Sequence, residues 1–243
     1  MSKKQFGKCR LCQNEKELCF SHIIPEFLYL PTYDENHRAL MIPRVKEKYP
    51  QKGIREYLLC DCCEEVLNRF ETYSSPILKS IQDLSVTQLG DQYIIRDVQY
   101  AEFKLFQLSL LWRASVASVK MFENIDIGNH EDVIRKMLLS KNPGMPDQYG
   151  CMMFILGKTK YVHKTIGSPV EDVIDGYTCY RFQIGRIFWY FFLPDAYPKD
   201  ALNFFLSSNG ILRLVKAPWS EATVITRLSS IVAEEYIHSI KSG

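Results

Sequence analysis

Cys9-Arg10-Leu11-Cys12 and Cys60-Asp61-Cys62-Cys63 are two Cys-x-x-Cys pairs. Two residues between cysteines form a tight knuckle that turns both thiolates toward one tetrahedral metal, and two such pairs close a structural zinc site. Cys9, Cys12, Cys60 and Cys63 are therefore the expected ligands of one zinc ion. Cys62 is the spare thiol of the second knuckle, and Cys19 is an alternative ligand at a poorer distance from Cys12. The chain has 8 cysteines, and five of them (Cys9, Cys12, Cys60, Cys62, Cys63) sit in these two clusters. In a reducing cytoplasm that usage fits metal binding and buried thiols rather than disulfides.

The residues after Cys63, from Glu64 to Tyr73, have the pattern of a helix whose first turn carries the last two ligands. Acids in that first turn suit the positive end of the helix dipole. Glu64, Asn68 and Glu71 fall at i, i+4 and i+7 on one polar stripe, and Val66, Leu67 and Phe70 take the core side. A knuckle, an extended insert and a helix make the plan of a treble-clef finger.

Ser21-His22-Ile23-Ile24-Pro25 follows the first pair, Leu59 and Glu64 flank the second, and Glu71-x-Tyr73 comes next. This order resembles the zinc-containing HNH-type nucleases, whose metal core is built on a treble clef. With the later Leu110-Leu111-Trp112-Arg113-Ala114-Ser115 segment it is similar to bacterial anti-phage zinc-finger ribonucleases that respond to phage ring assemblies. The nuclease motifs cover about the first third of the chain. The resemblance implies that His22 is the general base. Glu64 takes the position of the family's terminal His or Asn metal ligand, Asn36 that of the middle Asn, and Ser21 stands where the family has Asp or Glu. Two metal-binding positions are thus altered. RNA supplies its own nucleophile in the 2′-OH, so a base, a carboxylate and a cation suffice there, whereas DNA needs a water, usually one activated by a metal. We therefore expect RNA as substrate ahead of DNA. The alternatives are a DNA endonuclease with magnesium held by His22, Glu64 and Asp34, and a non-enzymatic zinc-binding interaction module. The resemblance also implies a phage-protein trigger.

Arg113 interrupts an apolar run from Phe103 to Phe122, where a charge is costly unless it is paired or aimed at a ligand. Two roles stay open for it: a salt bridge, with Glu71 as a partner, and a catalytic clamp on phosphate. Arg38, Arg44, Lys46, Lys48, Lys52 and Arg55 form a local basic excess with Tyr49 and Tyr57 interleaved, suited to tracking a nucleic-acid backbone. The net charge of the whole chain is only +2, so no global field draws it onto nucleic acid or an anionic membrane.

The elements that must position these groups give an α+β protein: a zinc finger with the nuclease motif over residues 1–75, a helical region over 76–145 and an α+β region over 146–243. An apolar fraction of 47% over 243 residues supports a sizeable core. Strands are expected at Cys151–Leu156, Tyr177–Gln183, Arg186–Leu193 and Ile211–Val215, and helices at Phe103–Phe122, Glu131–Leu139, Ala201–Leu206 and Glu221–Ile237. The aromatic run Phe188–Phe192 makes both faces of its strand apolar, and a homo-oligomer built on that region is expected. No apolar stretch has the length of a membrane span, so a cytoplasmic protein with no membrane partner is expected.

Overall fold

The computed structural model describes residues 5–33, 40–42 (backbone), 53–84, 92–157, 159–160, 162–218 and 220. Strands β1 (Gln5–Lys8) and β2 (Glu15–His22) pair antiparallel across the first knuckle. Within the knuckle the Cys9 N–H donates to the Asn14 carbonyl and the Gln13 N–H to the Cys9 carbonyl, both at 2.9 Å. Gln13 closes the turn in the left-handed region, at φ 65. The chain then makes a short helix α1 (Glu26–Tyr29) and strand β3 (Leu40–Ile42) before returning as β4 (Arg55–Cys60). β4 pairs antiparallel with β2, completing a three-stranded sheet in the order β1-β2-β4. The return depends on Gly53, at φ +77, where a Cβ would lie 2.7 Å from the Tyr29 ring. Only glycine tolerates both the dihedral and the contact.

Helix α2 (Asp61–Gln82) begins directly after β4. It buries Cys63, Leu67, Phe70, Ser74, Leu78 and Ile81, one stripe at intervals of three and four residues. Glu64, Asn68 and Glu71 flank that stripe, and Pro76 sits on the exposed surface of the helix. Helix α3 (Tyr100–Val116) is buried continuously from Phe103 to Ala114, as an all-round apolar sequence requires. Helix α4 (His130–Ser140) covers it and ends on Lys141 in the left-handed region.

The second sheet has seven strands in the order β3-β7-β8-β9-β6-β10-β5. Its members are β5 (Gln92–Ile95), β6 (Cys151–Ile155), β7 (Thr165–Ile174), β8 (Tyr177–Ile184), β9 (Ile187–Phe192) and β10 (Leu212–Lys216), together with β3. The β3–β7 and β6–β10 pairs are parallel and the others antiparallel. The fold is α+β. All six residues of β9 are buried. Trp189 and Phe191 point into the core shared with the helices, and Phe188, Tyr190 and Phe192 into a second cluster on the other face. The chain itself covers both faces of the aromatic run, so the run exposes no surface for self-association.

One expectation is corrected, and two strands were not foreseen. Residues 201–206 were expected as a helix, but a 3-10 turn, Lys199–Phe204, stands there instead. Strand β7 went unforeseen because its half nearest β8's start alternates exposed and partly buried residues, with no apolar face to mark it. β5 is an edge strand that pairs with β10 alone, and it falls inside the stretch expected to be helical. Helix α2 runs straight across the expected boundary at residue 75, and its C-terminus is gripped by the β8–β9 turn. There the Arg186 Nη1 donates to the carbonyls of Gln82 and Leu84 at 3.0 and 2.9 Å. Buried residues of the finger and of the large sheet belong to one continuous core. Asp34, Asn36, Arg38, Arg44, Lys46, Lys48, Lys52 and the expected helix at 221–237 lie outside the described residues.

Candidate metal centre and adjoining groove

The two knuckles meet where β4 hands over to α2. Cys9 and Cys12 come from the first turn, Cys60 ends β4, and Cys63 sits in the first turn of α2. Their four sulfurs all lie within 4.8 Å of one another, a metal-binding distance. Among the described residues this is the one set of three or more Cys, His, Asp or Glu ligand atoms that converges so closely. The backbone locks the arrangement: the Cys60 N–H donates to Cys9 Sγ at 3.3 Å, and the Arg10 N–H to the Leu58 carbonyl at 3.0 Å. Helix α4 braces the knuckle from outside through Arg135 Nη1, which donates to the Leu11 carbonyl at 3.1 Å.

The sulfurs interact strongly. The hydrogen bond from Cys63 holds the Cys9 thiol well below its ordinary range, with backbone N–H groups of Cys12, Cys60 and Leu11 adding to the effect against burial. The same bond, with burial, pushes Cys63 far up. A bound cation lets all four ionise. Cys62 is exposed and Cys19 is partly buried in β2, and neither joins the cluster.

Beside the cluster lies an open groove of about 730 Å³. Its walls include His22, the last residue of β2, Glu26 of α1, and Glu64, Glu71 and Lys79 along the polar stripe of α2. Sequence spacing had put Glu64 and Glu71 on one helix face, and the sheet brings the end of β2 opposite that face. Burial raises the Glu64 carboxyl above the usual carboxylate range, and the neighbouring Glu71 adds to the rise. A hydrogen bond with Ser21 and the charge of Arg113 oppose it. Glu64 Oε1 is buried without a hydrogen-bond partner. Glu64 thus keeps its proton to a higher pH than a solvated glutamate and can act as an acid.

Arg113 lies behind the groove rather than in its lining. Its side chain is only 2% exposed, and its Nη2 pairs with Glu71 Oε1 at 2.8 Å. Nη1 donates to the His22 carbonyl at 3.2 Å, and Nε to the Ser109 carbonyl at 3.4 Å. The salt bridge is present, and these contacts hold the guanidinium against Glu71, the His22 carbonyl and the Ser109 carbonyl. Arg113 connects α3 to both walls of the groove and orients them. Of the six basic residues expected to contact nucleic acid, Arg55 alone falls among the described residues, at the start of β4.

Sequence reasoning passed over Lys79 and Glu26, which also line the groove, as does Asn68 of the polar stripe. Lys79 is the one cation in that lining among the described residues. It stands at i+8 from Glu71, so extending the polar stripe two turns would have reached it.

No protein-family model, curated protein or solved structure matches this chain. Fold and site define it as an α+β protein carrying a four-cysteine candidate metal centre. Among the described residues no helix is long and apolar enough to cross a membrane.

Proposed function

We propose that this chain is an endonuclease acting on RNA, with a structural zinc ion in its finger. The single observation that carries the proposal is the groove in which His22 faces Glu64 and Glu71 directly beside the four-cysteine cluster. Zinc is favoured by the donor set, since four thiolates from two knuckles suit a closed tetrahedral site with no position left for substrate. Cys9, Cys12, Cys60 and Cys63 would hold it, and its work is to lock the end of β4 and the start of α2 in place.

In the proposed reaction His22 takes the proton from a ribose 2′-OH. The oxygen attacks the adjacent phosphorus, the bond to the 5′-oxygen breaks, and that oxygen takes a proton from Glu64. The products are a 2′,3′-cyclic phosphate and a free 5′-hydroxyl. The raised Glu64 carboxyl supports the role of acid. Lys79 supplies positive charge along the groove, and Arg113 positions Glu71 and the His22 backbone. A role as a toxic effector in anti-phage defence, with a phage protein as trigger, rests on the sequence resemblance alone.

One observation favours the metal-dependent alternative. Glu26, Glu64, Glu65 and Glu71 crowd the groove with carboxylates, and a divalent cation there would ease the approach of phosphate. Product ends separate the two versions. Purified protein is incubated with single-stranded RNA and with duplex DNA, each with and without added magnesium. The RNA mechanism predicts 2′,3′-cyclic phosphate ends without magnesium. Magnesium-dependent DNA cleavage leaving 5′-phosphates would replace it with the metal mechanism. Cleavage of neither substrate would leave the zinc-binding interaction module in its place.

A further inference from the structure

We infer that the outer face of the finger sheet is a stacking platform for a base of single-stranded RNA, built from Phe20, Tyr57 and Arg55 and running directly into His22. The inference deepens the ribonuclease proposal and rests on it for the identity of the ligand. Phe20 and Tyr57 are directly opposite in the β2–β4 pairing, and His22 and Arg55 are the next such pair on that face. Partners across antiparallel strands share a face, and so do residues two apart on one strand. Phe20, Tyr57 and Arg55 therefore share the outer face, and His22 follows at the end of β2, where its ring lies 6.4 Å from the buried Tyr29 ring and lines the groove.

The contacts fit this arrangement. The Phe20 and Tyr57 rings lie 5.1 Å apart between centroids, and the Arg55 guanidinium carbon sits 5.6 Å from the Phe20 centroid. Phe20 is nonetheless 51% exposed. Between Cys19 and Phe20 the register shifts, with Leu58 as the extra residue of β4. A bulge of this kind re-aims the side chains beyond it, and here it brings Tyr57 alongside Phe20. Ser21, between Phe20 and His22 in sequence, points the other way and is buried.

A lone exposed phenylalanine is ordinary. An aromatic pair capped by an arginine is a different surface, because it offers a flat π-face for a base and a charge for the phosphate that follows it. Proteins that bind single strands use this combination, and unpaired bases alone present a free face to it. The platform also solves a problem the groove poses. The carboxylate-rich lining repels a phosphate backbone, so affinity must come from outside it. A base held on Phe20 places its neighbouring ribose two residues along the strand, at His22.

The test uses the full-length zinc-loaded protein carrying His22→Ala, so that substrate survives, and a short fluorescein-labelled single-stranded RNA at about 0.1 M salt, read by anisotropy. Added to that background, Phe20→Ala and Tyr57→Ala are each expected to weaken binding on the order of tenfold, the typical loss of one stacked base. Phe20→Leu, which keeps apolar bulk without the π-face, should weaken it as well. Phe20→Trp should keep affinity, and its indole emission should be quenched by the RNA. Unchanged affinity in Phe20→Ala and Phe20→Leu proteins with normal zinc content overturns the platform. So does loss of self-association, rather than of RNA binding, in those variants, which would make the face a protein interface. The outcomes separate from the catalytic proposal. If wild type cuts RNA and Phe20→Ala both cuts and binds as well, the platform fails alone. If wild type cuts nothing but RNA binding still depends on Phe20, the platform stands and the nuclease fails.

Discussion

In the three-stranded sheet Phe6 and Phe20 are 73% and 51% exposed, whereas in the seven-stranded sheet the six consecutive residues of β9 are all buried. The centre of the large sheet, around β9, is covered on both faces and is held by apolar packing. The small sheet is too thin to do that and is pinned at one edge by four sulfurs. The difference separates two tasks. Side chains in a doubly covered sheet have no access to a ligand. A sheet pinned at its cysteine cluster leaves its outer face and its strand ends open, and there His22, Phe20 and Arg55 stand. Helix α2 joins the two regions. Its start holds Cys63, its middle lines the groove, and its end is held by the turn of the large sheet.

The comparison breaks most sharply at the cysteines. Cys63→Ser is expected to abolish metal binding and unfold the finger, because a structural zinc contributes roughly 10–16 kcal/mol to small units of this kind. Elemental analysis and circular dichroism would read this as loss of zinc with the large sheet retained. Trp189→Ala should do the reverse. Trp189 is fully buried, so its truncation costs about 3–5 kcal/mol in denaturant melts while zinc content stays the same. Arg113 lies between the regions. Arg113→Ala leaves the Glu71 carboxylate without its partner and is expected to cost about 3 kcal/mol.

Lys104 of α3 gives a pH-dependent test on the large-sheet side. It is buried with Nζ donating to the Tyr149 carbonyl at 2.7 Å, and burial lowers its pKa from 10.5 to about 8. The unfolded chain therefore binds this proton more tightly than the folded one. Stability from this residue is present in full above pH 10.5 and is lost as pH falls through about 8. Wild type should gain on the order of 3 kcal/mol relative to Lys104→Met between those limits. A parallel pH dependence in the two proteins would contradict the assignment. Phe20→Ala should have the smallest effect on stability, within about 0.5 kcal/mol, because its ring packs no core.

The sequence made the cysteine cluster legible because ligand spacing is local, and it made the α2 stripe legible because helical periodicity is regular. The strands of the aromatic hairpin were visible for the same reason, since apolar runs bounded by turns mark buried strands. The groove was only half visible. Glu64 and Glu71 share a helix face by arithmetic, but the placement of His22 opposite them depends on pairing β2 with β4 across the insert. The orientation of Arg113 was equally hidden. A charge in an apolar helix signals a partner without saying whether the partner is a glutamate or a phosphate. Strand β7 escaped because the tertiary pairing with β8, rather than its own pattern, makes it a strand. The outer face of the finger depends on a register shift, which no spacing rule reports.

On the proposed function, His22 is the general base of an RNA-cleaving groove beside the four-cysteine finger. Single-turnover cleavage of single-stranded RNA by wild type and His22→Ala tests it most directly, with zinc content and melting temperature measured on the same samples. The expected result is a rate lower by roughly two to four orders of magnitude in the variant, with metal and fold unchanged. Equal rates in the two proteins would contradict the role of His22 as base.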